Sequence, residues 1–256
     1  MPLFEAVGVR KRFGGVDALR GVDFSIEPGE VVGLMGDNGA GKSTLMKVIA
    51  GAYRPDEGEL RMDGEPCAFT GPRAAADHGI AVVYQDLGLV DERTVAANVF
   101  LGQEPRRFGV VDGRRMRAEA RQVLDQLRIR IPSVRMPVAG LSGGQRQCIA
   151  IARAVHRGGR LVLLDEPTAA LGPQQQDNVL SLIKDLKKQD KAVVVVSHNV
   201  DHVLAVADRV VVMRGGMVSG VRRVAETTAA EVVGLILGDT AAFALDGAQD
   251  SQGETP

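Results

Sequence analysis

A short apolar run, Val31 to Met35, leads straight into Gly36-Asp37-Asn38-Gly39-Ala40-Gly41-Lys42-Ser43-Thr44, and an apolar-periodic helical stretch follows to Ala50. A strand, a glycine-rich loop and a helix in that order form a cradle for phosphate. Glycines let backbone amides curl around an anion without Cβ clashes, and the helix amino end adds the positive end of its dipole. Lys42 is placed to reach the β- and γ-phosphates of a nucleotide, and the Ser43 hydroxyl to ligate Mg2+. Residues 36–44 are therefore expected to bind a nucleotide.

Such a cradle needs a carboxylate at the end of a nearby buried strand. Leu161-Val-Leu-Leu-Asp165-Glu166 supplies it. Four apolar residues suit a central strand, and Asp165 emerges at its carboxyl edge, where ligands bind in open α/β sheets. Asp165 is expected to hold Mg2+ through water. Glu166, one residue on, points differently and is the candidate to polarise an attacking water.

Ile80 to Tyr84 and Val193 to Ser197 read as further buried strands. Strands alternating with helical patterns predict an α/β sheet with parallel character. Leu3 to Val9, Val22 to Ile26, Glu59 to Met62 and Val210 to Met213 read instead as a flanking antiparallel layer. Between Asp86 and Gly140 the strand signal fades, and Met116, Ala120, Val123, Leu124 and Leu127 share one helical stripe. The expected division is a core over residues 1–85 and 158–240, a helical subdomain over 86–157, and a frayed, Gly-, Asp- and Gln-rich tail over 241–256.

Composition removes several function classes. Thirty-one basic residues balance thirty-two acidic ones, so no strongly basic face for nucleic acid is implied. Cys67 and Cys148 have no metal-ligand spacing and no signal peptide stands ahead of them, which suits a reducing cytoplasm. Ala192 to Val196 is as long as an unbroken apolar run gets, far short of the roughly 20 residues that span a bilayer. Membrane association is expected to come through a partner.

Leu141-Ser142-Gly143-Gly144-Gln145 opens a further helix, and a Ser-Gly-Gly helix start is itself an anion site. With the cradle and the Asp165-Glu166 strand, this pentapeptide resembles the signature of ABC-type ATPases, and the likeness runs from Phe4 to about Gly238. The resemblance implies an α/β fold with a P-loop NTPase core, an antiparallel β layer and an inserted α-helical subdomain. It implies that Ser142, Gly144 and the helix start close over the γ-phosphate of ATP held by another subunit. Phe13 resembles the aromatic that stacks on adenine, although a Phe beside a strand taken alone reads as core. Gln85 resembles the glutamine that senses Mg2+ and the attacking water, and His198 the switch histidine at the γ-phosphate. His78, His156 and His202 have no such placement and read as surface or packing residues. The family usually has Asp after the Thr168-Ala169-Ala170-Leu171 stretch, where Gly172 stands here, which puts coupling between subunits in question.

The stretches Arg12-Phe13-Gly14-Gly15-Val16-Asp17-Ala18-Leu19 and Thr94 to Gly102 resemble bacterial carbohydrate importers of the ribose and fructose type. That likeness implies an ATP-hydrolysing subunit working with Mg2+ at the cytoplasmic face of the inner membrane, on transmembrane permease subunits and, indirectly, a periplasmic or extracellular binding protein. Each motif occurs once, so a homodimer is expected to complete two sites. A branched-chain amino-acid importer is the nearest rival. A soluble ABC ATPase, for example in iron–sulfur assembly, is an alternative, as is a binding module without hydrolysis. The last is disfavoured by the presence of Lys42, Asp165, Glu166 and His198. The sugar is set by other chains.

Overall fold

The computed structural model describes residues 1–238; the expected tail at 241–256 lies outside them. The amino-terminal part holds strands β1 (Phe4–Phe13), β2 (Val16–Ile26) and β3 (Val31–Gly36), helix α1 (Lys42–Ile49), strands β4 (Glu57–Met62) and β5 (Glu65–Cys67), helix α2 (Pro72–Asp77) and strand β6 (Ile80–Val83). The middle holds α3 (Val95–Val99), a ribbon of β7 (Arg106–Arg107) and β8 (Val110–Val111), α4 (Gly113–Gln126) and α5 (Gly143–His156). The rest is β9 (Leu161–Asp165), α6 (Pro173–Lys187), β10 (Ala192–Val196), α7 (Val200–Leu204), β11 (Arg209–Arg214), β12 (Met217–Arg223) and α8 (Ala229–Leu237).

Six strands form the main sheet in the order β12-β11-β3-β10-β9-β6. All neighbours in it run parallel except β11 with β12. Both faces are covered, which explains the unbroken apolar runs. Along β10, Val194 and Val196 join a core shared with β1, β2, β4 and α1, while Val193 and Val195 join one shared with α3, α4, α5 and α6. Residues of the helical stretch between 95 and 155 thus pack into the same apolar cluster as the underside of the sheet. They do not form an isolated core.

The antiparallel layer is real, with order β2-β1-β4-β5, but its membership needs correction. Val210 to Met213 belong to β11 in the main sheet, where Val210 pairs with Gly33 and Val211 with Leu34 in parallel. The layer's first hairpin is also longer than expected. Phe13 pairs with Val16 across a two-residue turn, Gly14-Gly15, with Gly14 at φ 57°. Such a tight reversal suits a left-handed glycine.

Candidate functional site

The cradle is built where β3 gives way to α1. Gly36 ends the strand at φ 142°, and a Cβ there would lie 2.1 Å from the Met213 carbonyl oxygen on β11. Gly41 caps α1 at φ 103°, and its Cβ would lie 2.8 Å from the Ala18 carbonyl oxygen. Neither position accepts another residue without moving backbone. The Asn38 amide donates to Asp37 Oδ1 at 2.7 Å and the Ala40 amide to the Asp37 carbonyl at 3.2 Å, which holds the loop curled. Gly39 lies exposed at the turn, and Ser43 and Thr44 follow Lys42 in the first turn of α1, whose amides have no intrahelical acceptors. Lys42 Nζ donates to the carbonyls of Gly36 at 2.7 Å and Asp37 at 2.9 Å. Burial pushes the Lys42 ammonium's pKa down, and Glu166, Asp37 and Asp165 act against it.

Strands β10 and β9, first and second from β3 on one side, bring the imidazole and acidic groups. Asp165 ends β9, paired with Val196 of β10. It is half-buried, and burial, then the neighbouring Glu166, raises its carboxyl above the usual 3.8, with Lys42 and Lys47 opposing. Glu166 adopts φ 48°, a left-handed conformation uncommon for a side-chain-bearing residue, while its amide donates to the Val196 carbonyl at 2.8 Å. That turn aims the carboxylate toward the end of β10. Glu166 Oε1 lies 2.9 Å from His198 Nδ1, and Ser197 Oγ donates to Oε2 at 3.4 Å. The His198 ring is 76% exposed against 19% for Glu166, so the pair has one sheltered and one open end.

Gln85 follows β6, which stops at Val83, one residue earlier than expected. Tyr84 and Gln85 are exposed, and the Gln85 side chain makes no hydrogen bond among the described residues. Ser142 caps α5 in a full capping box. Its hydroxyl accepts from the Gln145 amide at 3.3 Å, and the Ser142 amide donates to Gln145 Oε1 at 3.1 Å. Gly143 and Gly144 face α6 closely; a Cβ on Gly144 would sit 2.8 Å from Gln175 Cβ. Among the described residues no hydrogen bond or ion pair joins residues 142–145 to residues 36–44. Phe13, at the end of β1, is 42% exposed, with its ring edge-to-face to Tyr53 at 5.1 Å and Lys11 Nζ 5.6 Å from its centroid.

The family model for the ABC transporter matches residues 19–169, more than half of the chain. The chain belongs to the ABC transporter family. This ABC cassette is 44% identical over 237 residues to the ribose import ATP-binding protein RbsA 1 of Rubrobacter xylanophilus, covering 93% of itself but 47% of that relative. It therefore spans about half the length of the ribose relatives it matches. It is 43% identical over 230 residues to the xylose/arabinose import ATP-binding protein XylG of Sulfolobus acidocaldarius, covering 90% of itself and 92% of that relative. Among solved structures it resembles a nucleotide-free ATP-binding cassette from an ABC transporter, with TM-score 0.81, 25% identity, and coverage of 95% and 98% of the two chains. It also resembles a dimeric cassette in a post-hydrolysis state bound to ADP and Pi, with TM-score 0.72, 28% identity, and coverage of 86% and 98%. The α/β fold with its antiparallel layer is that of an ABC ATPase.

Two residues of this ABC cassette's site region escaped sequence reading. Asn98, fully buried on α3, accepts from the Val90 amide at 2.8 Å and donates to the carbonyls of Val90, Arg93 and Thr94, which fixes the second half of the loop after Gln85. Arg153, on α5, donates to the carbonyls of Leu87 and Gly88 in the first half. The other histidines pack as expected. His78 Nδ1 lies 2.8 Å from the Ala74 carbonyl, the His156 ring lies tilted against Phe100 with centroids 4.1 Å apart, and His202 Nδ1 lies 3.0 Å from Thr168 Oγ1.

Proposed function

We propose that the chain binds ATP with Mg2+ and hydrolyses it as the cassette of an ABC importer for a sugar. One observation carries the reading. A half-buried ammonium, Lys42, lies in a glycine loop with Glu166 and Asp165 as attracting charges from the end of β9, two strands away. Phosphates entering the loop take over Lys42's bonds to the Gly36 and Asp37 carbonyls and meet the first-turn amides of α1. Phe13, supported from behind by Tyr53, offers a ring for the adenine. Glu166 orients the attacking water and takes its proton; His198, held by the same carboxylate, stands ready for the γ-phosphate.

Among the described residues no group of three or more His, Cys, Asp or Glu could hold a metal by itself. That fits Mg2+, which binds through one or two protein oxygens and substrate phosphates. Ser43, Asp165 and Gln85 are the residues to hold it, and it would neutralise charge on the β- and γ-phosphates.

The Ser142-Gly143-Gly144-Gln145 turn is free to meet nucleotide on a second copy, and the likeness to a dimeric cassette supports that homodimer. Residues 86–157 then act as the moving helical unit against 1–85 and 158–240. No helix of the described residues is long and apolar enough to cross a membrane. The subunit then works at the cytoplasmic face of the membrane, held there by the permease and reaching a substrate-binding protein only through it; the names of the import relatives support this. The sugar assignment rests on the relatives that import ribose and xylose or arabinose.

Titration calorimetry with Mg-ATP on wild type and Lys42→Ala tests the reading. Loss of a charge-assisted contact worth about 1.5–3 kcal/mol weakens binding roughly 10- to 150-fold and abolishes turnover. Unchanged binding and turnover in the variant would refute the cradle.

A further inference from the structure

Helix α5 carries the Ser142 turn at one end, and near the other end its arginines reach into the stretch after Gln85. Arg153 Nη1 donates to the Gly88 carbonyl at 2.7 Å and Nη2 to the Leu87 carbonyl. One turn on, Arg157 donates to the Leu101 carbonyl. The Arg153 guanidinium makes no ion pair with a carboxylate among the described residues. Burial pushes its pKa down, and Arg157 adds repulsion. A half-buried cation that meets two main-chain carbonyls and no carboxylate is partly desolvated without a counter-charge. Its two donors instead fix the position of the main chain they meet.

Leu87 and Leu89 pack partly buried against the apolar cluster under the sheet, but few other hydrogen bonds fix the beginning of the loop. Asp86 Oδ1 accepts from the Gly88 amide at 3.1 Å, Gly88 sits at φ 54°, and Asn98 holds only from Val90 onward. Among the described residues the Gln85 side chain has no hydrogen-bond anchor. From Ser142 to Arg153 the helix is a rod of about 16 Å at 1.5 Å per residue. We propose that Arg153 is a positioning residue, which clamps Leu87 and Gly88 to α5 so that the Gln85 loop and the Ser142 turn move as one body. Closure of the Ser142 turn on nucleotide then sets where Gln85 stands, and movement of Gln85 shifts the Ser142 turn in return. The inference rests on the proposed ATPase function.

The test uses the full chain as wild type, Arg153→Ala, Arg153→Lys and Arg157→Ala. It compares steady-state ATP hydrolysis, calorimetric Mg-ATP affinity and amide exchange over 86–90. Arg153→Ala lowers kcat about tenfold or more, as misplacement of a reacting group does, and speeds exchange over 86–90. ATP affinity stays within about twofold, because the contact is made away from the phosphates. Arg153→Lys restores most of kcat, since one ammonium can donate to both carbonyls. Arg157→Ala, which releases only Leu101, keeps wild-type kcat. Wild-type kcat in Arg153→Ala despite fast exchange overturns the proposal. So does a parallel fall of kcat, affinity and melting temperature that Lys fails to reverse, which marks a purely structural contact. A wild type that binds and hydrolyses no ATP overturns the function itself, a result distinguishable from either.

Discussion

Gly172 stands at the amino cap of α6, with φ −71° and ψ 161° and no side chain to cap the helix. Nothing lies within 4 Å of where its Cβ would be. Its backbone is already the extended form that a residue before proline prefers, and Pro173 follows. Gly172→Asp therefore enters without strain. An Asp cap gains a few tenths of a kcal/mol over Gly by accepting from an amide in the first turn. The first turn of α6 has no acidic residue, so the helix dipole adds about 0.3–1 kcal/mol. Removing a glycine from the unfolded chain adds about 0.4–1 kcal/mol. The sum is about 1–2 kcal/mol, or roughly 2–8 °C in melting temperature for a domain of this size. Thermal denaturation of the nucleotide-free protein reads this, and the dipole share shrinks with added salt. A melting temperature equal to wild type refutes the capping argument. The same first turn touches Gly144 through Gln175, so the substitution also steadies the Ser142 turn. In a Glu166→Gln background the ATP-bound dimer is then expected to dissociate less readily. A stability gain with an unchanged dimer dissociation constant would leave the cap correct and the coupling role of position 172 wrong.

Glu166→Gln keeps the shape and removes the carboxylate, so Mg-ATP is expected to bind and persist, giving an ATP-bound dimer in size exclusion and no phosphate release. A monomer at saturating nucleotide with wild-type hydrolysis would exclude Glu166 as the base. Arg160 donates to both Asp63 oxygens at 2.7 Å and holds that carboxyl below its usual 3.8. A depressed folded pKa gives stability that is present above about pH 4 and lost as pH falls through the lower folded value. Arg160→Ala is therefore expected to cost a small amount of stability at pH 7, discounted because both side chains are half exposed, and progressively less as pH falls through the lowered folded pKa of Asp63. A melting-temperature difference that stays constant from pH 7 to pH 2 would contradict this.

The phosphate cradle was legible because its constraint is local. Gly36 and Gly41 are glycines where any Cβ collides with backbone, and Lys42 follows them in sequence. Asp165, Glu166 and His198 could be placed at strand ends because each closes a short buried run, while the role expected of His198 came from the family resemblance. What pairs with what was not. Val210 to Met213 are as apolar as any strand of either sheet, and composition does not say whether a strand runs parallel beside β3 or antiparallel in the outer layer. The β7–β8 ribbon escaped because two-residue strands carry no period. Arg153 escaped for a different reason: among thirty-one basic residues, only the fold reveals which guanidinium meets main-chain carbonyls. Asn98 is similar, since a buried amide whose four hydrogen bonds all go to main-chain groups leaves no mark in the sequence.

The strand order β3-β10-β9-β6 turns the sheet edge into a gauge. Neighbouring strands stand about 4.8 Å apart, so the ends bearing the cradle, His198, Asp165 with Glu166, and Gln85 are graduated in steps of that size. The end of β6, two residues before Gln85, lies three steps, about 14 Å, from β3. No side chain spans that gap, and the intervening marks can be joined only by something laid across them. A change at Gln85 is therefore felt at the cradle only through the strand ends between them, or through something bound across those ends.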